Sequence, residues 1–454
     1  MKPEENLKSR AGIIVLVAFM VQIVSAQTDP DSVRTSNWTS HFQLTVIGQK
    51  HSGFPSPYKG ENSLADSVEP VAVSLTSTLF LGRRLWKGAA IYFDPEVAGG
   101  KGLSFATGVA GALNGETYRV GATEPQVFIA RACLQQYISL RNTGYEYVQD
   151  DLNQLAGRIP TDRVMISIGK FSISDFFDYN SYSKDPRTQF FNWSIWANGA
   201  WDYPADTRGY TYGIVTELIK PSWSIRLSSV AVPRIANYHL LEYKLPKAHS
   251  ETLEFEHKIS ISKRGGDLRL IFSHTRSKAP SYKDGINALA TNDNFLLDVI
   301  SGDAENNSYG GKKFGVGLNI EQELTDQVGF FSRIGWNDGK YASWAFTEID
   351  QTFTAGLSVK GTLWKREEDV VGIAVANNGI SSGHRNFLKE GGYGFIIGDG
   401  KLNYGHETII ETYYNAKLLK FLWLSFDYQF VKNPAYNKDR GPVHVFGLRG
   451  NVFF

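Results

Sequence analysis

The chain has 454 residues, among them 44 Gly, 28 Phe, 22 Tyr and 10 Trp, and its net charge is +1. This balance excludes the strong electrostatic field that attracts nucleic acid. The single cysteine, Cys133, excludes an intrachain disulfide framework, and we expect it to be a small packed residue on a strand. The many aromatic residues are typical of a membrane β-barrel, which carries aromatic girdles at both interfaces.

Residues 1–26 have the pattern of a secretory signal: basic residues precede an apolar run that ends in the small-residue site Val24-Ser25-Ala26. The run is too short to be a stable transmembrane anchor, and no other run approaches a spanning helix. We therefore expect an exported mature chain, 27–454, that forms one domain without a transmembrane helix.

Sixteen segments have the length and the period-two alternation of strands that cross a bilayer. They are 39–47, 70–84, 88–98, 125–140, 162–173, 208–220, 222–233, 251–263, 266–277, 311–323, 326–337, 350–362, 369–377, 405–417, 420–431 and 442–454. Long and short connections alternate between them, except that 141–161 is long where a short periplasmic turn is expected. An even strand count with loops sorted by side predicts an all-β fold, a transmembrane antiparallel β-barrel of about sixteen strands, with eighteen as the alternative.

The two faces of these segments differ in polarity. In 420–431, Leu424 and Phe426 alternate with Ser425 and Asp427. A charge on the lipid face costs roughly 2–4 kcal/mol at the middle of the bilayer, whereas a charge facing water costs little. The pattern therefore predicts lipid outside the barrel and water inside it, and sixteen strands leave room for an aqueous lumen.

The last segment ends on an aromatic residue, Phe454. Phe446, Leu448 and Val452 alternate with Arg449 and with Asn451 along it. After an export signal, such a terminal strand is typical of a bacterial outer-membrane barrel, and we expect the barrel-assembly machinery to recognise Phe454. The alternative interpretation is an edge strand of a secreted β-sandwich.

The third long connection, 174–207, is the segment densest in aromatic and charged residues, and Asp185-Pro186 within it predicts a helix start. Aromatic rings suit the apolar face of a sugar, and Arg with Asp suits its hydroxyl groups. A long connection with its own structure is usually functional, so we predict an inward-folded constriction loop. Its candidate residues are Asp178, Arg187, Trp193, Trp196, Trp201, Asp202, Asp206 and Arg208. The alternative is that these side chains only pack the loop onto the barrel wall.

The chain resembles the carbohydrate-selective porin family of the OprB type. The resemblance rests on this third connection and on further motifs along nearly the whole mature chain. They include Tyr58-Lys59-Gly60-Glu61-Asn62, Gly115-Glu116-Thr117-Tyr118-Arg119, Asp427-Tyr428-Gln429-Phe430 and Gly447-Leu448-Arg449. The resemblance implies a sixteen-stranded channel of the Gram-negative outer membrane for passive diffusion of mono- and oligosaccharides, narrowed by inward-folded loops.

The resemblance also implies arginines and carboxylates at the constriction. Strand parity predicts that one set of charged side chains points inward; it comprises Arg84, Arg131, Arg269, Arg333, Arg449, Glu96, Glu217, Glu254, Glu321, Glu411 and Asp427. Of these, Arg84, Arg131 and Glu96 are candidates for the constriction. The alternative for each is a solvated lumen charge without a role in substrate binding.

Three other functions remain open from the residues alone: a lipase-like barrel enzyme with His257 beside a serine, a general non-selective porin, and a soluble secreted sugar-binding protein. The sequence contains no metal-ligand spacing, phosphate loop or nucleophile elbow, so we expect no enzyme activity, cofactor or metal. The expected partners are carbohydrates, outer-membrane lipid and lipopolysaccharide, and not nucleic acid. Both a monomer and a trimer are compatible with the sequence.

Overall fold

The computed structural model describes residues 35–140 and 144–454, so the predicted signal segment lies outside the described residues. The described residues form eighteen strands. They are β1 Trp38–His51, β2 Ala72–Trp86, β3 Ala89–Gly100, β4 Gln126–Ser139, β5 Tyr145–Val148, β6 Gly157–Pro160, β7 Arg163–Phe171, β8 Thr211–Ile219, β9 Trp223–Val230, β10 His249–Ile261, β11 Arg264–Ser277, β12 Gly311–Glu323, β13 Val328–Asn337, β14 Gln351–Lys360, β15 Val370–Gly379, β16 Glu407–Leu419, β17 Leu422–Lys432 and β18 Val443–Phe453.

Sixteen of these strands form one closed antiparallel barrel, in which each strand pairs with its neighbours and β1 pairs with β18. The predicted barrel of sixteen strands is confirmed. β5 and β6 form a separate two-stranded sheet, so the alternative of eighteen strands is wrong for the barrel. Closure leaves no sheet edge unpaired, which is the condition for placing strands in lipid.

Alternation along each strand separates an outer apolar face from an inner polar face. On β12, Phe314 is 52% exposed on the outside, whereas Asn319 is 2% exposed on the inside. On β18, Leu448 is 46% exposed and Arg449 is 0% exposed. An inward charge avoids the cost of facing lipid, so the period-two pattern fixes the facing of each strand.

The terminal strand seals the barrel. Leu44 on β1 pairs with Val452 on β18. Beyond the end of β18, the backbone N–H of Phe42 donates to the carbonyl of Phe454 at 2.8 Å, and the reverse bond is 3.1 Å long. The rings of Phe42 and Phe454 lie 5.3 Å apart. The last residue therefore takes part in closing the barrel.

Short turns join the strands at one end of the barrel, for example Lys87-Gly88 between β2 and β3. Long connections at the other end contain most of the helices. These helices are α1 Trp193–Trp196, α2 Tyr282–Thr291, α3 Asn294–Ser301 and α4 Ser382–Lys389, with short 3-10 segments at Leu103–Ala106, Ile173–Asp175, Gly361–Trp364 and Pro434–Tyr436. Within residues 35–140 and 144–454, no helix combines the length and apolarity needed to cross a bilayer.

Inward-folded long connections fill much of the barrel's interior. One buried cluster joins α2, α3 and α4 through residues such as Tyr282, Val299, Trp344 and Phe387. A second cluster, built mainly by the connection from β7 to β8, contains Phe177, Trp193, Trp201 and Tyr203. Because these clusters lie inside the ring of strands, they narrow the lumen.

Candidate functional site

The connection from β7 to β8, residues 172–210, is called the constriction loop here. It enters the lumen through the short 3-10 segment Ile173–Asp175 and carries α1. The predicted helix start at Asp185-Pro186 is wrong, because residues 186–188 form only a turn and α1 begins at Trp193. The backbone N–H groups of Phe191 and Asn192 bond Glu411 on β16 at 2.5 and 3.1 Å, so they cannot continue a helix.

Asp178 fixes the loop to the barrel wall. Its carboxylate bonds Arg333 on β13 at 3.0 Å and accepts from Asn319 on β12 at 2.7 Å. It also accepts from the backbone of Asn198 at 2.7 Å. Asp178 is 6% exposed, and its contacts make it an anchor of the loop instead of part of a cavity wall.

Asp202 anchors a second loop. Its carboxylate accepts from four successive backbone N–H groups, those of residues 344–347, at 2.9 to 3.5 Å. Lys313 lies 3.3 Å from the same carboxylate. The adjacent Trp201 packs edge-on against Phe177 and Tyr203 in the buried cluster. Within the protein, Asp202 therefore has hydrogen-bonding and ionic partners, and Trp201 has packing partners. The sequence suggested instead that both side chains contact sugar.

Two predicted inward arginines, Arg333 and Arg449, point into the barrel, but the constriction loop covers them. Arg449 donates to the carbonyls of Pro186 and Gln189 at 2.7 Å each. Arg333 donates to the carbonyl of Ser183 at 2.6 Å. Both arginines are fully buried, so they hold the loop against the wall and do not meet the passage.

A cavity of about 880 Å³ lies between the constriction loop and the wall formed by β1 to β4 and β7 to β11. Six of the candidate residues line it: Arg84, Arg131, Arg187, Arg208, Trp193 and Trp196. Asp206 lies behind this wall and accepts from the backbone N–H groups of Arg208 and Tyr210 at 2.9 and 3.1 Å. Burial raises the pKa of Asp206 to about 6.

Arg187 spans the gap between the loop and the opposite wall. Its guanidinium bonds Glu96 on β3 at 3.0 Å and Glu116, from the preceding long connection, at 3.0 Å. The Tyr210 hydroxyl donates to Glu96 at 3.0 Å. The neighbouring carboxylates hold the pKa of Arg187 well above its ordinary range, so this cation is permanent and compensated.

Arg131 carries a second cluster of charges. It forms a two-pronged bond with Asp175 of the constriction loop, at 2.7 Å on each prong, and lies 3.4 Å from Asp94 on β3. Arg208 packs over the Phe128 ring at 4.4 Å and donates to Gln126 at 3.0 Å. Arg84 lies at the short-turn end, where it donates to the carbonyl of Ala156 at 3.1 Å.

Several donors at this site have no partner among the described residues. They are the indole N–H groups of Trp193 and Trp196, and the Nε of Arg208, all of which are buried. A buried polar group without a partner is costly unless another molecule satisfies it. The cavity is thus bordered by aromatic faces and by free donors.

Sequence reasoning omitted four residues that complete these clusters: Asp94, Glu116, Asp175 and Tyr210. Strand parity could have found Asp94, which alternates with the outward-facing Phe93 on β3. Glu116 stands within the motif Gly115-Glu116-Thr117-Tyr118-Arg119. It lies in a loop, however, and the alternation that shows which way a strand residue faces does not apply there. Its role depends on a partner 71 positions away.

Residues 76–454 match the profile of the family described as "Carbohydrate-selective porin, OprB family". The match covers most of the chain. The chain belongs to this family. A comparison with curated protein sequences finds no match.

Similar solved structures include the high-pH structure of Pseudomonas putida OprB. It has 16% identity and a TM-score of 0.65, and the alignment covers 92% of this chain and 94% of that one. The low-pH structure of the same protein has 11% identity and a TM-score of 0.47, covering 92% and 93% of the two chains. The outer membrane channel DcaP of Acinetobacter baumannii has 10% identity and a TM-score of 0.47, covering 93% and 100%.

Membership of the family and the closed barrel make the chain an outer-membrane porin for carbohydrates, with strands crossing the bilayer of a Gram-negative bacterium. The short turns, the start of β1 at Trp38 and the end of β18 at Phe453 then lie on the periplasmic side, and the long connections lie outside the cell. The constriction loop therefore enters the barrel from the extracellular end and borders the cavity on that side.

Proposed function

We propose that sugars diffuse through the cavity beside the constriction loop and are selected there as uncharged, hydroxyl-rich molecules. The observation that carries this proposal is the placement of Arg187 between Glu96 and Glu116, at 3.0 Å from each. This cluster of one guanidinium and two carboxylates offers strong, charge-assisted hydrogen-bonding groups, and because the arginine offsets one carboxylate its net charge is small. Hydroxyl groups can exchange into such a cluster, because they both donate and accept.

The aromatic wall supplies the other half of sugar recognition. Trp196 lines the cavity, and its ring packs edge-to-face against Trp193 with the centroids 4.5 Å apart. This contact holds the ring in place and leaves its N–H without a partner among the described residues. A sugar can therefore pack its apolar face against a fixed ring and bond the free donors at its rim.

The test is single-channel recording of the purified protein in planar bilayers, with glucose, maltose and maltotriose added at rising concentration. Saturable loss of conductance by each sugar supports the proposal. Conductance that falls equally with a poly(ethylene glycol) of matched size would assign a general porin without sugar selectivity. Conductance without any sugar effect would refute the substrate assignment.

We propose further that the barrel acts as a channel and carries no catalytic centre. The residue considered for a lipase-like reaction, His257, stacks on Phe255 at 6.4 Å in the outer wall, where a ring contact supports a packing role. Ester hydrolysis by the purified protein that a His257→Ala substitution abolishes would contradict this.

For assembly, we propose that the barrel-assembly machinery recognises Phe454. The test is the level of Phe454→Ala in the outer membrane, which should be lower than that of the wild type.

A further inference from the structure

The connection from β4 to β7 departs from the other periplasmic turns. Its described part, residues 144–161, folds into the small sheet of β5 and β6, whereas two residues suffice between β2 and β3. We call residues 144–161 the periplasmic hairpin. Its tip is a tight turn in which Asp151 and Gln154 exchange backbone hydrogen bonds of 3.1 and 3.0 Å.

The hairpin is fastened to the inner wall of the barrel at several points. Arg84 on β2 donates to the carbonyl of Ala156 at 3.1 Å, and Asn153 donates to Asp94 on β3 at 2.9 Å. Leu155 and Ala156 are 6% and 7% exposed. The hairpin is thus packed against the barrel and is held in one position.

The hairpin forms the periplasmic wall of the cavity that the constriction loop borders from above. Its contribution to the lining consists of Val148, Asp151, Leu152, Asn153, Gln154, Leu155 and Ile159. The cavity volume of about 880 Å³ lies within the range of binding pockets for small molecules, roughly 300–1,000 Å³.

The tip also connects to the constriction loop through charges. Asn153 bonds Asp94, Asp94 lies 3.4 Å from Arg131, and Arg131 bonds Asp175 of the constriction loop. The Oδ1 atoms of Asn153 and Asp94 are buried and have no partner among the described residues. Asn153 lines the cavity, and an amide with a free acceptor there suits a ligand rich in hydroxyl groups.

We propose that the periplasmic hairpin is a second constriction, and that the chamber between it and the constriction loop holds one sugar at a distinct periplasmic subsite. The inference rests on the proposed sugar flux through this cavity. Asn153 and Gln154 at the tip bond the hydroxyl groups of the sugar as it leaves. A sugar in transit therefore meets two filters in series, and exit to the periplasm requires release from the second.

The first experiment places a single thiol on the tip. Asn153→Cys is made in a Cys133→Ser background and labelled with a bulky neutral maleimide, and single-channel conductance in KCl is recorded before and after. Because bulk at a narrow point obstructs the pore, we expect conductance to fall at least about twofold. Tyr145→Cys, at an exposed hairpin position outside the lining, is the matched control, and we expect no change. Equal responses at both positions would overturn the proposal.

The second experiment uses maltotriose as the probe and compares its addition from either side of the bilayer. Asn153→Ala and replacement of 145–160 by a short Gly-Ser turn should each shorten the dwell time of sugar entering from the periplasmic side, more than from the other side. Heat-modifiable gel mobility shows whether each variant has folded. If the wild type shows sugar block, and both variants keep the wild-type difference in dwell time between the two sides of the bilayer, the hairpin proposal is refuted and the proposed function stands. If the wild type shows no block, the proposed function fails, and the thiol experiment still decides whether the hairpin narrows the pore.

Discussion

Arg187 and Glu96 join the constriction loop to the barrel wall through a 3.0 Å ion pair. Glu96 is 3% exposed, and its second oxygen accepts from Tyr210 at 3.0 Å. The loop is therefore fastened at its far point as well as at its base. On the proposed function, this ion pair contributes both to the width of the passage and to the balance of charge within it.

Replacing Arg187 by Gln should change both properties. The substitution leaves Glu96 and Glu116 uncompensated, so the reversal potential in a KCl gradient should shift toward cation selectivity. Because the lost bonds are charge-assisted, sugar affinity should fall about tenfold. The measurement is ion selectivity together with sugar block in one bilayer.

Arg234→Gln is the matched control for that experiment, because Arg234 pairs with Glu305 at the extracellular surface and is half exposed. It should leave selectivity and sugar block unchanged. An unaltered reversal potential in Arg187→Gln would show that Arg187 does not balance the charge in the passage.

Trp196 and Trp201 provide a matched pair for testing the aromatic wall. Both are buried tryptophans of the constriction loop whose N–H finds no partner in the described part of the chain, but of the two only Trp196 lines the cavity. Trp196→Phe keeps a ring and removes the donor, so sugar block should weaken about fivefold, for one hydrogen bond of about 1 kcal/mol.

Trp201→Phe should leave sugar block close to that of the wild type, and both variants should keep the salt conductance. The measurement is the concentration of maltose that halves the conductance. A larger effect at Trp201 than at Trp196 would reverse the assignment of the two rings.

Asp178 should matter for stability more than for sugar binding. Asp178→Ala removes the partner of Arg333, a fully buried cation, and an uncompensated buried charge costs about 3–5 kcal/mol. The temperature at which the folded band converts to the unfolded band on a gel should fall clearly.

Asp326→Asn is the control for this effect. Asp326 pairs with Arg264, but its side chain is 77% exposed, and such pairs contribute about 0–1 kcal/mol. Equal thermal shifts in the two variants would contradict the anchoring role of Asp178.

The barrel could be predicted from the sequence because its rule is local. A strand that separates lipid from water requires only that apolar and polar residues alternate along it. The segment predicted at 311–323 is observed as Gly311–Glu323. Parity also gave the inward direction of Arg333 and Arg449. It could not show that a loop covers them, because the covering residues lie far away in the chain.

The connection from β7 to β8 stands out in the sequence by its composition, but its side chains could not be divided into those that line the cavity and those that anchor the loop. Asp178, Asp202 and Trp201 have the same chemistry as the residues that line the cavity. Their fates depend on partners from other connections and strands, such as Arg333 for Asp178 and residues 344–347 for Asp202. A rule based on neighbours in the sequence does not contain this information.

Asp206 should make ion selectivity depend on pH. Its pKa is raised to about 6 because burial penalises the charged carboxylate, against the opposing influence of Lys170 and Arg208. Between the ordinary carboxyl pKa of about 4 and this raised value, the folded chain holds a proton that the unfolded chain has lost. Between about pH 4 and about pH 6 the contribution of Asp206 to stability therefore declines as pH rises.

The same protonation acts on the passage. With Asp206 neutral, the charges of Arg208 and Lys170 lose a compensating carboxylate, so anion preference should increase as the pH falls from about 7.5 to about 5. Asp206→Asn should show the acidic behaviour at both pH values, and the difference between the two pH profiles isolates this residue from other carboxylates. Reversal potentials in a KCl gradient are the measurement. Parallel profiles for the wild type and Asp206→Asn would show that this carboxylate does not titrate in that range.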